Sequence, residues 1–486
     1  MSAEVEGALD VNVSFLQELL STIADQGRAL LPRSLFGAGA EADVEELARV
    51  LISGRGEASG VAIASELLDR CAQLNAEDRL TFFRFLATEL KPDATRLAEA
   101  AQAYLADPTD ETLARLQKAL DSPRLEFFRR LNLAPGATAQ IVAMRQDLLE
   151  VPLDDPALAA VDADLRRLLY SWFNRGFLVL RRIDWNTPAA ILGKIIRYEA
   201  VHAIKSWDDL RRRLDPADRR CFAFFHPSLV DEPLVFVEVA LTRDVPEAIG
   251  EVLGVPQQDA AASAPTTAVF YSISNCQEGL RGISFGNFLL KQVVEELARE
   301  EARLKTFVTL SPAPGFADWL RRAAAAPGDA GVPDQIGTQA RAVLDEFHAS
   351  RLLEPAEEDE EESRRKADLL ALAAYYFLEA KRSDGKPVDQ VARFHLGNGA
   401  RLERLNWMAD PSPKSLAEAF GLMVNYRYDL KEIEKNHEAF ANEGTIAASR
   451  GVRSLLKPLA KTKAPVVSAA LSPPALPAPF PVKTAS

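Results

Sequence analysis

The sequence contains little cysteine. Three cysteines, Cys71, Cys221 and Cys276, occur among 486 residues, and no two of them form a C-x-x-C pair. A disulfide framework needs paired cysteines and a structural zinc site needs closely spaced ligands, so we expect reduced thiols. The N-terminal stretch MSAEVEGALD has neither the basic nor the apolar segment of a secretory signal. Together these absences predict a cytoplasmic protein.

Long apolar runs and an excess of positive charge are also missing. No apolar run approaches the roughly 20 residues that a membrane-spanning helix needs. The 57 Lys and Arg residues are outnumbered by 70 Asp and Glu residues, which gives a net charge of −13. Because an acidic protein is repelled by phosphate backbones and anionic lipids, we expect neither nucleic acid nor a membrane as a partner.

Histidine is scarce as well, with five in the chain. None of them pairs with another His, Cys or carboxylate at the spacing of a metal site, so we expect no metal. His395 differs from the others by its context, FHLGNGARLERLNWMAD, where Asn398 and other polar and turn residues interrupt apolar ones. Such a mixture is typical of a partly buried pocket, and equally of a well-satisfied turn.

The apolar residues that are present follow two patterns. Up to about residue 180 they recur at helical spacing, as in AIASELLDRCAQL and DLRRLLYSWFNRGF. After about residue 185 short runs rich in Val and Phe alternate with amphipathic helices; these runs are CFAFFHP, LVFVEVALT, AVFYSIS and TFVTLSP. We predict an α+β protein with a flexible N-terminus at 1–11, a helical domain at 12–185, a mixed-sheet domain at 186–458 and a disordered tail at 459–486.

The segment Gly282–Gly286 spells G-x-S-x-G, the sequence of a nucleophile elbow. In an elbow the strand runs directly into the first glycine, but here the loop 275–281 follows AVFYSIS. We therefore do not expect Ser284 to be a nucleophile. A strand, a glycine-bearing loop that includes Gly279, and a helix starting near Asn287 would instead bind phosphate through main-chain amides. A tight loop that binds no ligand would explain the spacing of the glycines equally well.

The stretch TFVTLSPAPGF contains a second candidate. Its β-run ends at Ser311, because Pro312 and Pro314 cannot continue a central strand. A serine at the carboxyl end of a strand lies where open sheets bind ligands. A simple strand-ending serine would explain the same pattern.

At these stretches the chain resembles the malonyl-CoA decarboxylase family. The matching pieces, in the family's order over about residues 160 to 430, are YSWFNRGFL, EPLVFVEVALT, AVFYSISNCQEGLRGISFGNFLLKQVVEEL, TFVTLSPAPGFADWL, HLGNGARLERLNWMAD and GLMVNYRYDL. The resemblance implies a helical domain used in self-association, as a dimer or tetramer. It also implies a catalytic domain of the GCN5-related acyltransferase (GNAT) fold, which converts malonyl-CoA to acetyl-CoA and carbon dioxide without a metal or an organic cofactor.

The resemblance also implies roles for particular residues. The family's catalytic serine in L-S-P-x-P-G-F falls on Ser311, and its histidine in F-H-L-x-N-G-A falls on His395. Asn398 and Tyr428 are weaker candidates for lining the site. The CoA-contacting segment maps to Arg281, Gly282, Ile283, Ser284, Phe285, Gly286 and Asn287. Because the animal enzymes have a glutamate where this chain has Ser284, no role of that carboxylate is carried over.

Decarboxylation of a malonyl thioester leaves an electron pair on the α-carbon, delocalised onto the thioester oxygen as an enolate. The enzyme then needs a hydrogen-bond donor at that oxygen and a proton for the carbon. We expect Ser311 and His395 to form a hydrogen-bonded pair that supplies both, and the sequence leaves open which of them protonates the carbon.

Three other functions fit parts of the sequence. A GNAT-type acyltransferase would use the same CoA loop with a base such as Glu238. A serine thioesterase would use Ser284 or Ser311 as its nucleophile. A non-catalytic helical scaffold with a degenerate CoA-binding domain is the third alternative.

Overall fold

The computed structural model describes most of the chain; the described residues are 22–31, 43–54, 56–151, 155–254, 264–283, 289–325, 332–349 and 360–460. The predicted flexible segment 1–11 lies outside these ranges, as do residues 461–486 of the predicted tail. The segment 284–288, which holds part of the predicted CoA loop, also lies outside them.

The first part of the described chain is helical. After the helical residues 22–29, its helices are α1 (Val44–Leu51), α2 (Glu57–Gln73), α3 (Ala76–Thr88), α4 (Ala94–Ala106), α5 (Asp110–Leu120), α6 (Pro123–Leu131), α7 (Ala137–Glu150) and α8 (Pro156–Trp172). Side chains before α1, α3 and α6 accept hydrogen bonds from first-turn amides; they are Asp43, Asn75 and Ser122. Such caps satisfy amides that the helix itself cannot, and so fix where each helix begins.

Two of these helices differ from the others in what they bury. Helices α1, α2, α3, α6, α7 and α8 enclose an apolar core in which Phe82, Phe127 and Phe128 are fully buried. In α4 only Ala100 is buried, and in α5 no residue is buried. The α4–α5 hairpin therefore leaves apolar side chains such as Leu105 exposed, with 81% of that leucine's surface accessible.

The second part of the chain is built on one sheet. Its strands are β1 (Val179–Ile183), β2 (Arg219–His226), β3 (Leu229–Thr242), β4 (Thr267–Asn275), β5 (Thr306–Thr309), β6 (Ser311–Pro312), β7 (Arg401–Asn406) and β8 (Met423–Tyr428). The strand order is β1-β2-β3-β4-β5-β8-β6, with β7 beside β8. The four apolar runs that predicted strands lie in β2, β3, β4 and the β5–β6 segment.

Helices cover this sheet. They are α9 (Ala189–Tyr198), α10 (Trp207–Leu214), α11 (Ile249–Leu253), α12 (Leu289–Glu300), α13 (Phe316–Ala325), α14 (Asp334–Ala349), α15 (Glu360–Leu378), α16 (Gln390–Gly397), α17 (Pro413–Ala419), α18 (Ile433–Glu443), α19 (Arg450–Ser454) and α20 (Lys457–Ala460), with short 3₁₀ turns at Arg175–Phe177 and Glu278–Leu280. Residues of α12, α13, α15 and α16 share one apolar core with the sheet.

The sheet opens between β4 and β5, its one parallel pair among the described strands. Their pairing ends at Phe270 and Thr309, and the last hydrogen bond runs from the Leu310 amide to the Phe270 carbonyl, at 2.9 Å. Beyond this point β4 continues along β3, whereas Ser311 pairs with β8. The two strands diverge, and the space between their carboxyl ends becomes a cavity.

The α+β class is confirmed, with a helical region followed by a mixed sheet. The GNAT type of that sheet stays a prediction. The helices run to Trp172, and β1 already pairs with β2. The division at residue 185 stays a prediction. In the described ranges, no helix is both long and apolar enough to cross a membrane.

Candidate active site

A cavity of about 460 Å³ lies where β4 and β5 diverge. Its lining includes the buried residues Ser311 and His395 and the turn that contains Arg281, Gly282 and Ile283. Five candidate residues, which the sequence analysis took from three separate motifs, thus line one cavity in the structure.

Ser311 is held by the strand that precedes it. Alternate residues of an extended chain point to the same side, so Thr309 and Ser311 face the same way. The Ser311 hydroxyl donates to Thr309 Oγ1 at 2.9 Å, and the same oxygen accepts the Tyr426 main-chain amide of β8 at 3.1 Å. Ser311 is therefore buried in a fixed position at the bottom of the cavity.

His395 is carried by α16. The carboxylate of Asp389 caps that helix, accepting the Ala392 amide at 2.7 Å. Near the end of the helix the His395 ring stacks on the Tyr426 ring, with centroids 4.5 Å apart. Because the ring is almost completely buried, desolvation of its charged form lowers the pKa of His395 to about 3.

A hydrogen-bonded chain joins the two residues. His395 Nε2 lies 3.1 Å from Ser311 Oγ, and His395 Nδ1 lies 2.8 Å from the Tyr428 hydroxyl. Since Ser311 donates its single hydrogen to Thr309, the Nε2–H group is the donor to Ser311. Nδ1 then accepts from Tyr428, which defines a neutral ring with its hydrogen on Nε2.

This arrangement is suited to hydrogen-bond donation. A ring with a pKa near 3 is a poor base for turning Ser311 into a nucleophile. By contrast, a hydroxyl and an Nε2–H group of residues that line a cavity can both donate to an oxygen that becomes negative during a reaction.

The other predicted site residues have different positions. Tyr428 contacts His395 from behind, without itself lining the cavity. Asn398 follows the last turn of α16 and donates its side-chain amide to the Phe394 carbonyl at 2.7 Å, so the structure places it at a helix end and not at the cavity. Four residues of the predicted CoA segment lie outside the described residues; they are Ser284, Phe285, Gly286 and Asn287.

The glycine turn does not have the geometry of an elbow. Strand β4 ends at Asn275, and the 3₁₀ turn Glu278–Leu280 comes before Gly282. The prediction that no strand runs directly into this glycine is confirmed. Gly282 has a φ of +79°, a conformation that glycine adopts without steric cost.

Glu238, the base considered for an acyltransferase, is fully buried in β3. It forms an ion pair with Arg213 at 3.1 Å and does not line the cavity. Burial, reinforced by the nearby charge of Glu199, raises the pKa of Glu238 to about 8. A carboxylate in this position is out of reach of an acceptor amine. Across the described part of the chain, no three His, Cys, Asp or Glu side chains are close enough to hold a metal ion.

Comparison with known protein families agrees with these motifs. The model of the malonyl-CoA decarboxylase C-terminal domain matches residues 176–466, and that of the N-terminal domain matches residues 90–173. The chain belongs to the malonyl-CoA decarboxylase family. As a member of the malonyl-CoA decarboxylase family it is an enzyme of the carboxy-lyase class.

Individual relatives of this decarboxylase cover most of its length. The mitochondrial malonyl-CoA decarboxylase of Anser anser anser is 35% identical over 398 residues, which are 76% of this chain and 78% of the relative. The crystal structure of malonyl-CoA decarboxylase from Rhodopseudomonas palustris is 52% identical, covers 85% of this chain and 98% of its own, and superposes with a TM-score of 0.78. The crystal structure of malonyl-CoA decarboxylase from Agrobacterium vitis is 51% identical, covers 85% of this chain and 100% of its own, and superposes with a TM-score of 0.76.

Three residues of this decarboxylase site were missed by sequence reasoning. Thr309 stands two positions before Ser311, and Tyr426 two positions before Tyr428, so the period of a strand places each on the same face as a predicted residue. That period is the signal that could have found them. Asp389 stands just before a helix, the usual position of a capping carboxylate.

Proposed function

We propose that this chain decarboxylates malonyl-CoA to acetyl-CoA and carbon dioxide, with the CoA part along the glycine turn and the malonyl group against Ser311 and His395. The supporting observation is that one cavity runs from the glycine turn to the hydrogen-bonded serine and histidine. The family membership points to the same reaction.

The reaction breaks the bond between the α-carbon and the carboxylate. Its electron pair stays on the α-carbon and delocalises onto the thioester oxygen, and carbon dioxide leaves. In this proposal the Ser311 hydroxyl turns from Thr309 to the thioester oxygen and donates to it. One donor placed at a developing oxyanion lowers the barrier by about 2.7–4 kcal/mol.

The enolate then takes up one proton, which we assign to His395. The buried ring is neutral without substrate. A malonyl carboxylate beside it favours the charged ring and raises its pKa, so a solvent proton enters with the substrate and ends on the α-carbon. The hydrogen bond with Tyr428 holds the ring in place, because the tyrosine hydroxyl donates to Nδ1 of the neutral ring and accepts from Nδ1–H of the charged ring. A positioned acid contributes about 10²–10⁴-fold to a rate. In this scheme hydrogen-bond donors stabilise the negative charge of the enolate, and we propose neither a metal nor an organic cofactor.

A serine thioesterase is the competing function that uses the same residues. It requires His395 to accept the Ser311 proton, whereas the ring is a weak base with its hydrogen on Nε2. An acyltransferase requires an accessible base, and Glu238 is fully buried. Both features favour decarboxylation.

The direct test is to incubate the purified full chain with malonyl-CoA alone. We expect acetyl-CoA and carbon dioxide in equal amounts, measured by chromatography and a coupled carbon dioxide assay. Release of free CoA thiol would indicate a thioesterase, and turnover only after addition of an amine would indicate an acyltransferase. Intact malonyl-CoA without a rise in melting temperature would indicate a non-catalytic scaffold.

We also propose that the protein self-associates as a dimer or tetramer through its helical region, and that it acts in the fatty acid metabolism of the cytoplasm. Self-association is supported by the apolar residues that the α4–α5 hairpin leaves exposed, because such patches mark interaction surfaces. The cytoplasmic location is supported by three buried cysteines that are all free thiols.

A further inference from the structure

The glycine turn at the outer end of the cavity is built on the helical region. A Cβ on Gly279 would lie 1.9 Å from the Val142 carbonyl oxygen of α7, so only glycine permits this approach. The buried Arg145 of α7 donates to the carbonyl of Gly279 at 2.6 Å and to that of Arg281 at 3.0 Å. Helix α7 therefore sets the position of the turn relative to the cavity.

A second arginine of the helical region lies against the same turn. Arg166 is exposed on α8, and its guanidinium is 3.7–4.0 Å from the position that a Cβ on Gly282 would take. Gly282 and the equally exposed Arg281 line the cavity. A guanidinium carried by the helical region thus lies beside the glycine turn, which itself lines the cavity.

The carboxylates around Arg166 on α8 are paired with other arginines. Asp162 accepts from Arg145 at 2.8 Å, and Asp164 pairs with Arg124 at 2.7 Å. Within the part of the chain that the structure describes, Arg166 itself has no ion pair. Its charge is available to an anionic ligand.

We propose that Arg166 binds a phosphate group of the CoA thioester, so that the helical region completes the nucleotide end of the substrate site. This inference rests on the proposed function. A planar guanidinium can donate two parallel hydrogen bonds to a phosphate, and it matches the charge of the one part of the substrate that carries phosphates. Arg281, which lines the cavity, contributes a second cation next to Gly282 in sequence.

The test compares Arg166→Gln with Arg167→Gln in the full chain. Arg167 is the next residue on α8, is exposed, and pairs with Asp121 at 3.2 Å, so its replacement removes the same charge from the same helix. The two substrates are malonyl-CoA and malonyl-pantetheine, which has the same thioester and no phosphate. We expect Arg166→Gln to raise the KM for malonyl-CoA about tenfold, the loss typical of a hydrogen bond to a charged group. The kcat for malonyl-CoA and the kcat/KM for malonyl-pantetheine should stay within twofold, and Arg167→Gln should change neither substrate's constants.

Arg166→Lys is a second variant that keeps the charge and loses the planar fork. It should give a KM between those of the wild type and Arg166→Gln. An unchanged KM in Arg166→Gln, an equal change in Arg167→Gln, or an equal change with malonyl-pantetheine would each overturn the inference. A wild-type chain that does not decarboxylate malonyl-CoA would instead refute the proposed function, so the two failures are distinguishable.

Discussion

Ser311 and His395 meet across 84 residues of sequence, and each is held by a further buried side chain. Thr309 holds the hydroxyl, and Tyr428 holds the ring. Every polar atom of the pair thus has a partner before substrate arrives. In the proposed reaction the Ser311 hydroxyl exchanges its partner Thr309 for the thioester oxygen when substrate binds, so that it already donates to this oxygen when charge develops there.

The first prediction concerns the pair itself. Ser311→Ala removes the donor to the thioester oxygen, and His395→Gln removes the proton source. We expect kcat to fall at least 10²-fold in each variant, since a single oxyanion donor or a positioned acid contributes that much. The Kd for CoA, measured by calorimetry, should stay within threefold because the glycine turn is untouched.

Ser454→Ala serves as the matched control for this comparison. Ser454 is an exposed serine in α19 whose hydroxyl bonds only to the Gly451 carbonyl among its described neighbours. Its replacement should leave kcat unchanged. Near-normal turnover by Ser311→Ala would remove the serine from the proposed mechanism.

The second prediction uses the lowered pKa of His395. The unfolded chain binds a proton on this ring below pH about 6.5, whereas the folded chain does so only near pH 3. The ring's contribution to stability is therefore complete above pH 6.5 and is lost as the pH falls toward 3. Between pH 7.5 and 4.5 the free energy of unfolding should fall by up to about 3 kcal/mol more in the wild type than in His395→Gln.

Denaturant unfolding at both pH values measures this difference. Ser311→Ala removes a contact of the ring but keeps the ring, so it should retain the wild-type pH dependence. Identical pH dependence in the wild type and in His395→Gln would show that the ring is not held neutral by burial.

At the residue scale, the sequence identified Ser311 and His395 through a resemblance to family motifs, and not through spacing. It could not show that the Asn398 side chain would donate to a main-chain carbonyl at the end of a helix. Composition does not distinguish a side-chain amide that lines a pocket from one that bonds to a helix end. Glu238 looked available from its strand alone, and only the tertiary structure shows that it is fully buried and paired with Arg213.

Among the elements, α16 connects the two halves of the candidate site. Its cap, Asp389, also accepts the Tyr376 hydroxyl at 3.1 Å. A Cβ on Gly315, four residues after Ser311, would come within 2.7 Å of that same hydroxyl. One buried carboxylate and one tyrosine therefore link the helix that carries His395 to the loop that follows Ser311.

The third prediction tests this link. Asp389→Ala removes the cap and leaves the Tyr376 hydroxyl without its partner, so we expect a loss of about 1–2 kcal/mol in the free energy of unfolding. A fall in kcat should accompany it, because α16 positions His395. Asp389→Asn keeps an oxygen that can cap the helix and a polar group for Tyr376, and should retain most of the stability and activity. Equal losses in the two variants, measured by chemical denaturation and by turnover, would argue against the capping role.

The elements that sequence patterns predicted well are those with uninterrupted apolar runs, such as β2 and β4. Strand β7 was not predicted as a strand, and its register shift between Leu402 and Arg404 explains why. A bulge interrupts the alternation of inward and outward residues, which is the signal that indicates a strand.

At the scale of the whole molecule, the helical region positions a part of the candidate site. Arg145 reaches Gly279 across 134 residues of sequence, and the glycine turn could not lie where it does without α7. No pattern in the sequence indicates this contact, because it depends on how the helical region packs against the turn that follows β4. The helical region holds the glycine turn in position, and residues of the sheet region line the cavity.

The fourth prediction concerns self-association. If the α4–α5 hairpin is an interface, placing a charge on its exposed leucines should weaken the oligomer, since burying an unpaired charge is costly. We expect the double variant Leu105→Asp with Leu120→Asp to elute as a smaller species in light-scattering chromatography. Leu430→Asp, at an exposed leucine outside the helical region, is the control and should leave the mass unchanged. An unchanged oligomer in the double variant would place the interface elsewhere.

Decarboxylation through an enolate is tested most directly by following malonyl-CoA in heavy water. Short incubations with the purified chain are analysed by mass spectrometry for acetyl-CoA and with a thiol reagent for free CoA. We predict acetyl-CoA whose methyl group carries a solvent-derived deuterium, formed in step with carbon dioxide and without free thiol. Free CoA together with malonate, or malonyl-CoA left intact, would contradict the proposed reaction.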